Sequence, residues 1–212
     1  MMPDNLLPEF VEFEVKFRVD GGLVYDWKKL VSALPGITEF LYLESDDIYY
    51  VKDEAFLRHR FTSSDLSKRQ EITFKRKIKD HNNIYRVENN VRCDGNTVEG
   101  VADFCNNLGF KRNFKISKYV HIYKFEDATL PFYTVIDENG KHDHFIEIEV
   151  DEAKLSTMTE DQAWEVIQKY EKILAPLGII PQKRLRKSLF EMYRKEVKSD
   201  KDLPAHPVPS SD

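Results

Sequence analysis

The 212-residue sequence has only two cysteines, Cys93 and Cys105, at a spacing that matches neither a zinc motif nor a redox motif. A disulfide framework and a thiolate metal centre are therefore set aside, and both thiols are expected reduced and partly buried. No apolar run approaches the roughly 18 residues of a membrane span. The opening MMPDNLLPEF lacks the basic start and apolar middle of a secretory signal, so the expected address is the cytoplasm, with no membrane partner. A long stripe of one charge is also missing: the net charge is −5 although 33% of the residues are charged, so acids and bases are interleaved. That distribution argues against duplex DNA as a partner, which needs a concentrated basic surface.

What is present suits one domain with a real core, since 41% of the residues are hydrophobic. Residues 1–10 read as a tail, 11–198 as the folded unit, and 199–212, polar and proline-rich, as a second tail. Within the folded unit period-two alternation dominates. It predicts strands over 11–18, 38–43, 47–51, 56–61, 70–78, 84–92, 116–126, 130–137 and 143–151. Asn139-Gly140 predicts a two-residue hairpin turn with positive φ angles, and Asp94-Gly95-Asn96 ends another strand. Helices are expected over 24–34, 97–108, 160–176 and 184–197; the third opens on a Thr159/Gln162 capping box, and the fourth turns Leu185, Leu189 and Met192 inward.

The polar strand faces are too uniform for an ordinary sandwich. In the first strand Val11, Phe13, Val15 and Phe17 share one face, which leaves Glu12, Glu14, Lys16 and Arg18 on the other. The division repeats: Arg58 and Arg60 oppose Leu57 and Phe61; Glu71, Thr73, Lys75 and Lys77 oppose Ile72, Phe74 and Ile78; Arg86, Glu88 and Arg92 oppose Tyr85, Val87 and Val91; Glu147, Glu149 and Asp151 oppose Ile146, Ile148 and Val150. On any single strand this is a solvated face with cross-strand ion pairs. Repeated across the sheet, it predicts a mainly β, α+β fold: an antiparallel β-barrel, its outside packed by flanking helices and its inside charged. Facing charges in a confined space are costly unless paired or ion-bound. A divalent metal chelated by a polyphosphate meets both signs, with hard Mg²⁺ or Mn²⁺ on carboxylates and Arg and Lys on phosphate oxygens.

Glu12-Phe13-Glu14-Val15-Lys16 resembles the Glu-x-Glu-x-Lys signature of the CYTH superfamily, the triphosphate tunnel metalloenzymes that include thiamine triphosphatase and class IV adenylyl cyclase. Asp47-Ile48-Tyr49-Tyr50 is similar to its second-strand motif, Leu57-Arg58-His59-Arg60 to its Leu-Arg-x-Arg, and Thr73-Phe74-Lys75 to its Thr-x-Lys. Arg86-Val87-Glu88, Leu108-Gly109-Phe110, Lys118, Asp137, Phe145–Glu149 and Lys187-Ser188 follow in the same order, so the likeness spans Glu12 to Tyr193. Two positions depart from the pattern: Val51 replaces a common aspartate, and Val120 stands where a second basic residue is common, with His121 a candidate substitute.

The resemblance implies an eight-stranded tunnel and metal-dependent attack on a triphosphate. By position it gives Glu12, Glu14 and Glu149 to the metal, and Glu147 and Asp137 to a second metal or its waters. It gives Lys16, Arg58, Arg60, Lys75, Lys77, Arg86, Lys118 and Lys187 to the phosphates, Glu88 to their orientation, and pairs Lys16 with Tyr49. Glu147 and Glu88 are the candidate general bases. The expected substrate is a small triphosphate, either inorganic tripolyphosphate, thiamine triphosphate or a nucleotide, in a monomer or homodimer. A cyclase making cyclic AMP and a non-catalytic binder of polyphosphate or RNA 5′-triphosphate ends are the alternatives. His142-Asp143-His144 reads as exposed rather than metal-binding, and the run Lys183 to Lys187 as a helix start rather than an RNA site.

Overall fold

The computed structural model describes residues 11–53, 55–64, 68–77 and 85–196; both predicted tails, 1–10 and 199–212, lie outside them. The strands are β1 (Val11–Val19), β2 (Ile37–Lys52), β3 (Ala55–Ser63), β4 (Lys68–Lys77), β5 (Tyr85–Arg92), β6 (Lys111–Phe125), β7 (Ala128–Asp137), β8 (His142–Val150) and the short β9 (Arg184–Leu185). They pair antiparallel in the order β5-β4-β3-β2-β6-β7-β8-β1, and β1 pairs back to β5. That seam is short, covering Val11 to Phe13 opposite Val87 to Tyr85. Farther along the same edge of β1, Lys16 and Phe17 pair with β9 instead.

The apolar faces of β1, β7 and β8 point outward and are covered, whereas Val91 of β5 is exposed. Helices α1 (Leu23–Ser32), α3 (Glu152–Leu155) and α4 (Glu160–Leu174) pack over β1, β7 and β8. There Trp27 and Val31 of α1, and Ala163, Ile167, Tyr170 and Leu174 of α4, meet Phe13, Val15, Phe17, Phe132, Ile146 and Ile148. The start of α4 rests on the capping chemistry predicted for it: Thr159 and Gln162 exchange side-chain and backbone hydrogen bonds. A second cover, α2 (Val98–Asn107), lays Val101, Ala102 and Cys105 over Tyr50 and Leu57.

Three elements differ from the sequence reading. The two strands expected at 38–43 and 47–51 are one, β2, and β6 begins at Lys111 rather than 116. The polar gap left between the two expected strands, Glu44-Ser45-Asp46, continues the strand, with Asp46 satisfied across the sheet by Ser117 at 2.5 Å and Lys115 at 2.8 Å. The helix expected over 184–197 splits into β9 and a short α5 (Leu189–Tyr193). Glu171 holds the Arg184 guanidinium through both oxygens, at 2.6 and 2.5 Å, while a Ser188/Glu191 capping box starts the helix late. The β7–β8 connection is a three-residue loop, with Asp137 N–H donating to Lys141 O at 3.1 Å. Gly140 has φ +77°, and Asp53 is the single positive-φ non-glycine among the described residues, so Asn139 does not adopt the positive φ predicted for it.

Candidate functional site

The inward faces of the barrel enclose a cavity of about 330 Å³. Glu12, Glu14 and Lys16 of β1 and Glu147 and Glu149 of β8 form one side of it; Arg58 and Arg60 of β3 and Lys118 of β6 line it from across the barrel. Period-two alternation puts these residues inside, and the strand register then sets neighbours: Glu14 stands opposite Glu149, and Lys16 opposite Glu147. Like charges directly opposite are unfavourable, so the Glu14/Glu149 position invites a cation.

On the acidic side Lys16 is buried and ion-paired, its Nζ 2.7 Å from Glu147 Oε1 and 3.6 Å from Glu14 Oε1. Tyr133 donates its hydroxyl to the same Glu147 oxygen at 2.7 Å. Burial, reinforced by the Glu147 charge, holds the Tyr133 phenol protonated far above its ordinary range.

The cationic side is organised around Asp47, which is fully buried. Arg60 donates from Nε at 2.7 Å and Nη2 at 2.9 Å, and Lys118 Nζ lies 2.6 Å away. Burial alone would raise the Asp47 pKa, but Arg60 and Lys118 outweigh it and keep the carboxylate ionised well below the usual range. Lys118 is lowered to about 7, first by burial and then by the Arg60 charge, against the pull of Asp47. Arg58 donates to Thr73 at 3.0 Å, and Thr73 in turn to Asn90 at 2.6 Å.

Not every predicted residue reaches this cavity. Asp137 instead lines a second cavity beside Arg18, Lys115 and Tyr193, and its Oδ1 accepts the backbone N–H groups of Asn139 and Lys141 at 2.8 and 2.9 Å. It therefore caps the β7–β8 turn. Lys187 is exposed and absent from the lining, because the chain turns into α5 one residue later. His121 does not replace the missing base: its ring lies 5.0 Å from that of Tyr42, and Val120 is the residue that lines the cavity. Tyr49 lines the cavity and stacks on Phe114 at 4.4 Å. The side chains of Lys75, Lys77, Arg86 and Glu88 lie outside the described part of the structure; the register puts Lys75 opposite Glu88, and Arg86 opposite both Lys77 and Glu12. Asp143, within the stretch read as exposed, is buried and accepts the Tyr193 hydroxyl at 2.6 Å.

Sequence reasoning gave no role to Asp47 or Tyr133. Asp47 shares the inward parity of Ser45 and Tyr49, and Tyr133 that of Thr129 and Pro131, which is the signal that was there to use. The bore is also less polar than expected. Helix α5 seals one end, where Leu189 and Phe190 pack with Tyr49, Phe114, Ile116 and Val135, and Phe190 stacks on Phe56 at 4.1 Å.

Several solved structures share this architecture. A protein from Pyrococcus horikoshii is 26% identical, with 85% of this chain and 97% of that one covered and a TM-score of 0.64. A conserved hypothetical protein from Pyrococcus furiosus is 23% identical over 85% of this chain and 98% of that one, with a TM-score of 0.62. A "putative adenylate cyclase" from Bacillus halodurans is 14% identical over 86% of this chain and 96% of that one, with a TM-score of 0.53. No family model matches the sequence, and no curated protein does. The likeness to these solved structures shows that the chain shares their fold.

Proposed function

We propose that the chain is a divalent-metal-dependent phosphohydrolase acting on a triphosphate held in the barrel. The observation that carries this reading is the division of one cavity into a carboxylate side on β1 and β8 and a cation side on β3 and β6. A bare anion binder has no use for Glu12, Glu14 and Glu149 beside its ligand, and a bare metal site has none for Arg58, Arg60 and Lys118.

The donor chemistry fits Mg²⁺ or Mn²⁺: Glu12, Glu14 and Glu149 are hard oxygen donors facing a common space. Among the described residues no three carboxylates form a ready-made cluster, so the ligands would draw together as the ion enters with its phosphates. When bound, the metal supplies charge neutralisation on phosphate oxygens. The remaining work falls to the protein. Arg58, Arg60 and Lys118 spread the charge that builds on the transferred phosphoryl group. Water attacks the terminal phosphorus, the bridging P–O bond breaks, and that oxygen leaves on the diphosphate. Lys16 and Tyr133 both hold Oε1 of Glu147, which leaves Oε2 to orient the water and take its proton.

The test is incubation of the purified protein with triphosphates and Mn²⁺, repeated for Glu14→Ala and Arg60→Ala. Free phosphate released by the unaltered protein and lost in both variants is expected. Cyclic AMP with pyrophosphate from ATP would replace hydrolysis by cyclisation, and tight binding without turnover under any divalent metal would leave only a sensor.

A further inference from the structure

Three neighbouring strands of the cavity wall carry a continuous hydrogen-bond relay that ends on a residue with no part in the chemistry above. Arg58 of β3, Thr73 of β4 and Asn90 of β5 share one register line, Arg58 opposite Thr73 and Thr73 opposite Asn90. Arg58 and Asn90 line the cavity, and Thr73 between them is fully buried. Asn90 is exposed and takes no part in the core.

The direction of the relay follows from its protons. A guanidinium offers only donors, so Arg58 Nη2, at 3.0 Å, meets a lone pair of Thr73 Oγ1. The single hydroxyl proton of Thr73 is then directed elsewhere, and Asn90 Oδ1 receives it at 2.6 Å. That separation suits a hydroxyl donor and is short for an amide one, so Asn90 turns its oxygen, not its nitrogen, toward Thr73. Asn90 therefore makes Thr73 an acceptor for Arg58.

A competitor stands beside that acceptor. Nη2 of Arg58 also lies 3.5 Å from Oε1 of Glu71, which lines the same cavity two positions before Thr73 on β4. Thr73 is neutral and holds the guanidinium without cancelling its charge. A closer Glu71 carboxylate would offset the charge that a phosphate needs. Without Asn90 the buried Thr73 hydroxyl loses its acceptor and turns to find another, because an unmet buried donor is costly. Arg58 is then left to Glu71. Resting on the triphosphate reading above, we infer that Asn90 is a positioning residue: by taking the Thr73 proton it keeps Arg58 turned to the polyphosphate and away from Glu71.

The experiment measures the affinity of inorganic tripolyphosphate with Mn²⁺ by calorimetry. Asn90→Leu removes the acceptor at an exposed position, and should weaken binding about tenfold at unchanged Tm, the scale of one hydrogen bond to a charged group. The same substitution should cost less than about twofold when added to Arg58→Ala or to Glu71→Gln, since the relay acts through the first residue and against the second. A merely structural role would give the same loss in every background. Unchanged affinity in Asn90→Leu, or a tenfold loss that persists without Arg58, would overturn the relay and leave the triphosphate reading standing. No binding by the unaltered protein would end that reading and the relay with it.

Discussion

Asp47 and Arg60 stand opposite each other on β2 and β3 as a two-point pair, both carboxylate oxygens accepting from one guanidinium, with Lys118 closing on the same carboxylate from β6. One buried anion thus fixes two of the cations proposed to hold phosphate, and the group keeps a surplus of positive charge facing the cavity. Arg60 suits the task because its planar fork fits a carboxylate on one side and still offers donors elsewhere.

Asp47→Asn should be severely destabilising, because Arg60 would keep its charge with no counter-ion, while Lys118, without the pull of Asp47, would give up its proton more readily. Breaking a buried pair from one side typically costs ~3–5 kcal/mol, readable as a lower urea midpoint at unchanged slope. A loss under about 1 kcal/mol would show the cations rearranging into water. The acid limb should follow the same residue. Its folded pKa lies below the ordinary 3.8, so the stabilisation is present above that value and is lost as pH falls through the folded value.

Lys118 gives a second pH dependence, in the neutral range. Its ammonium, lowered to about 7, is charged below that pH and neutral above it. Phosphate affinity owed to Lys118 should therefore fade as pH rises through about 7. Polyphosphates titrate in the same region, so the informative measure is the affinity ratio between the unaltered protein and Lys118→Arg, whose guanidinium stays charged. That ratio should fall with pH, and a flat ratio from pH 6 to 9 would place the Lys118 transition elsewhere.

How far the sequence carried can be judged from particular residues. Strand β1 was legible because its two faces differ in kind, with Phe13 and Phe17 under α4 and Glu12 and Glu14 in the cavity. Strand β2 was misread at Glu44-Ser45-Asp46 because the polar partner of Asp46 is remote in sequence, Ser117 at 71 residues. The start of α5 was written in Ser188 and Glu191, a capping box that apolar spacing alone overrode. Within the site, charged positions declared themselves through alternation. Val120 and Ile122 share the parity of Lys118 but look in sequence like any core residues, so their place in the cavity lining emerged only with the register.

Glu14 and Glu149 should report metal binding apart from catalysis. An ion that binds only the folded chain raises its stability by mass action, about 2.7 kcal/mol at a hundredfold excess over Kd. Mn²⁺ with a polyphosphate should therefore raise Tm in the unaltered protein, and much less in Glu14→Gln or Glu149→Gln. Amide replacement keeps the volume and removes the charge, so a full thermal shift in both variants would locate the ion away from β1 and β8.

Phe190 tests whether α5 is part of the barrel wall or a detachable cover. Its ring stacks on Phe56 at 4.1 Å with an interplanar angle of 9°, and it lies within the cluster that holds Tyr49, Phe114 and Val135. Truncating a buried phenylalanine removes both its transfer energy and its packing, typically ~3–5 kcal/mol. Phe190→Ala should therefore lower the urea midpoint strongly and expose the Tyr49 end of the bore, seen as faster hydrogen exchange in β9 and α5 together with the inner ends of β2 and β6. A midpoint shift under about 1 kcal/mol, with exchange confined to α5, would mean that the helix lies on the barrel without sealing it.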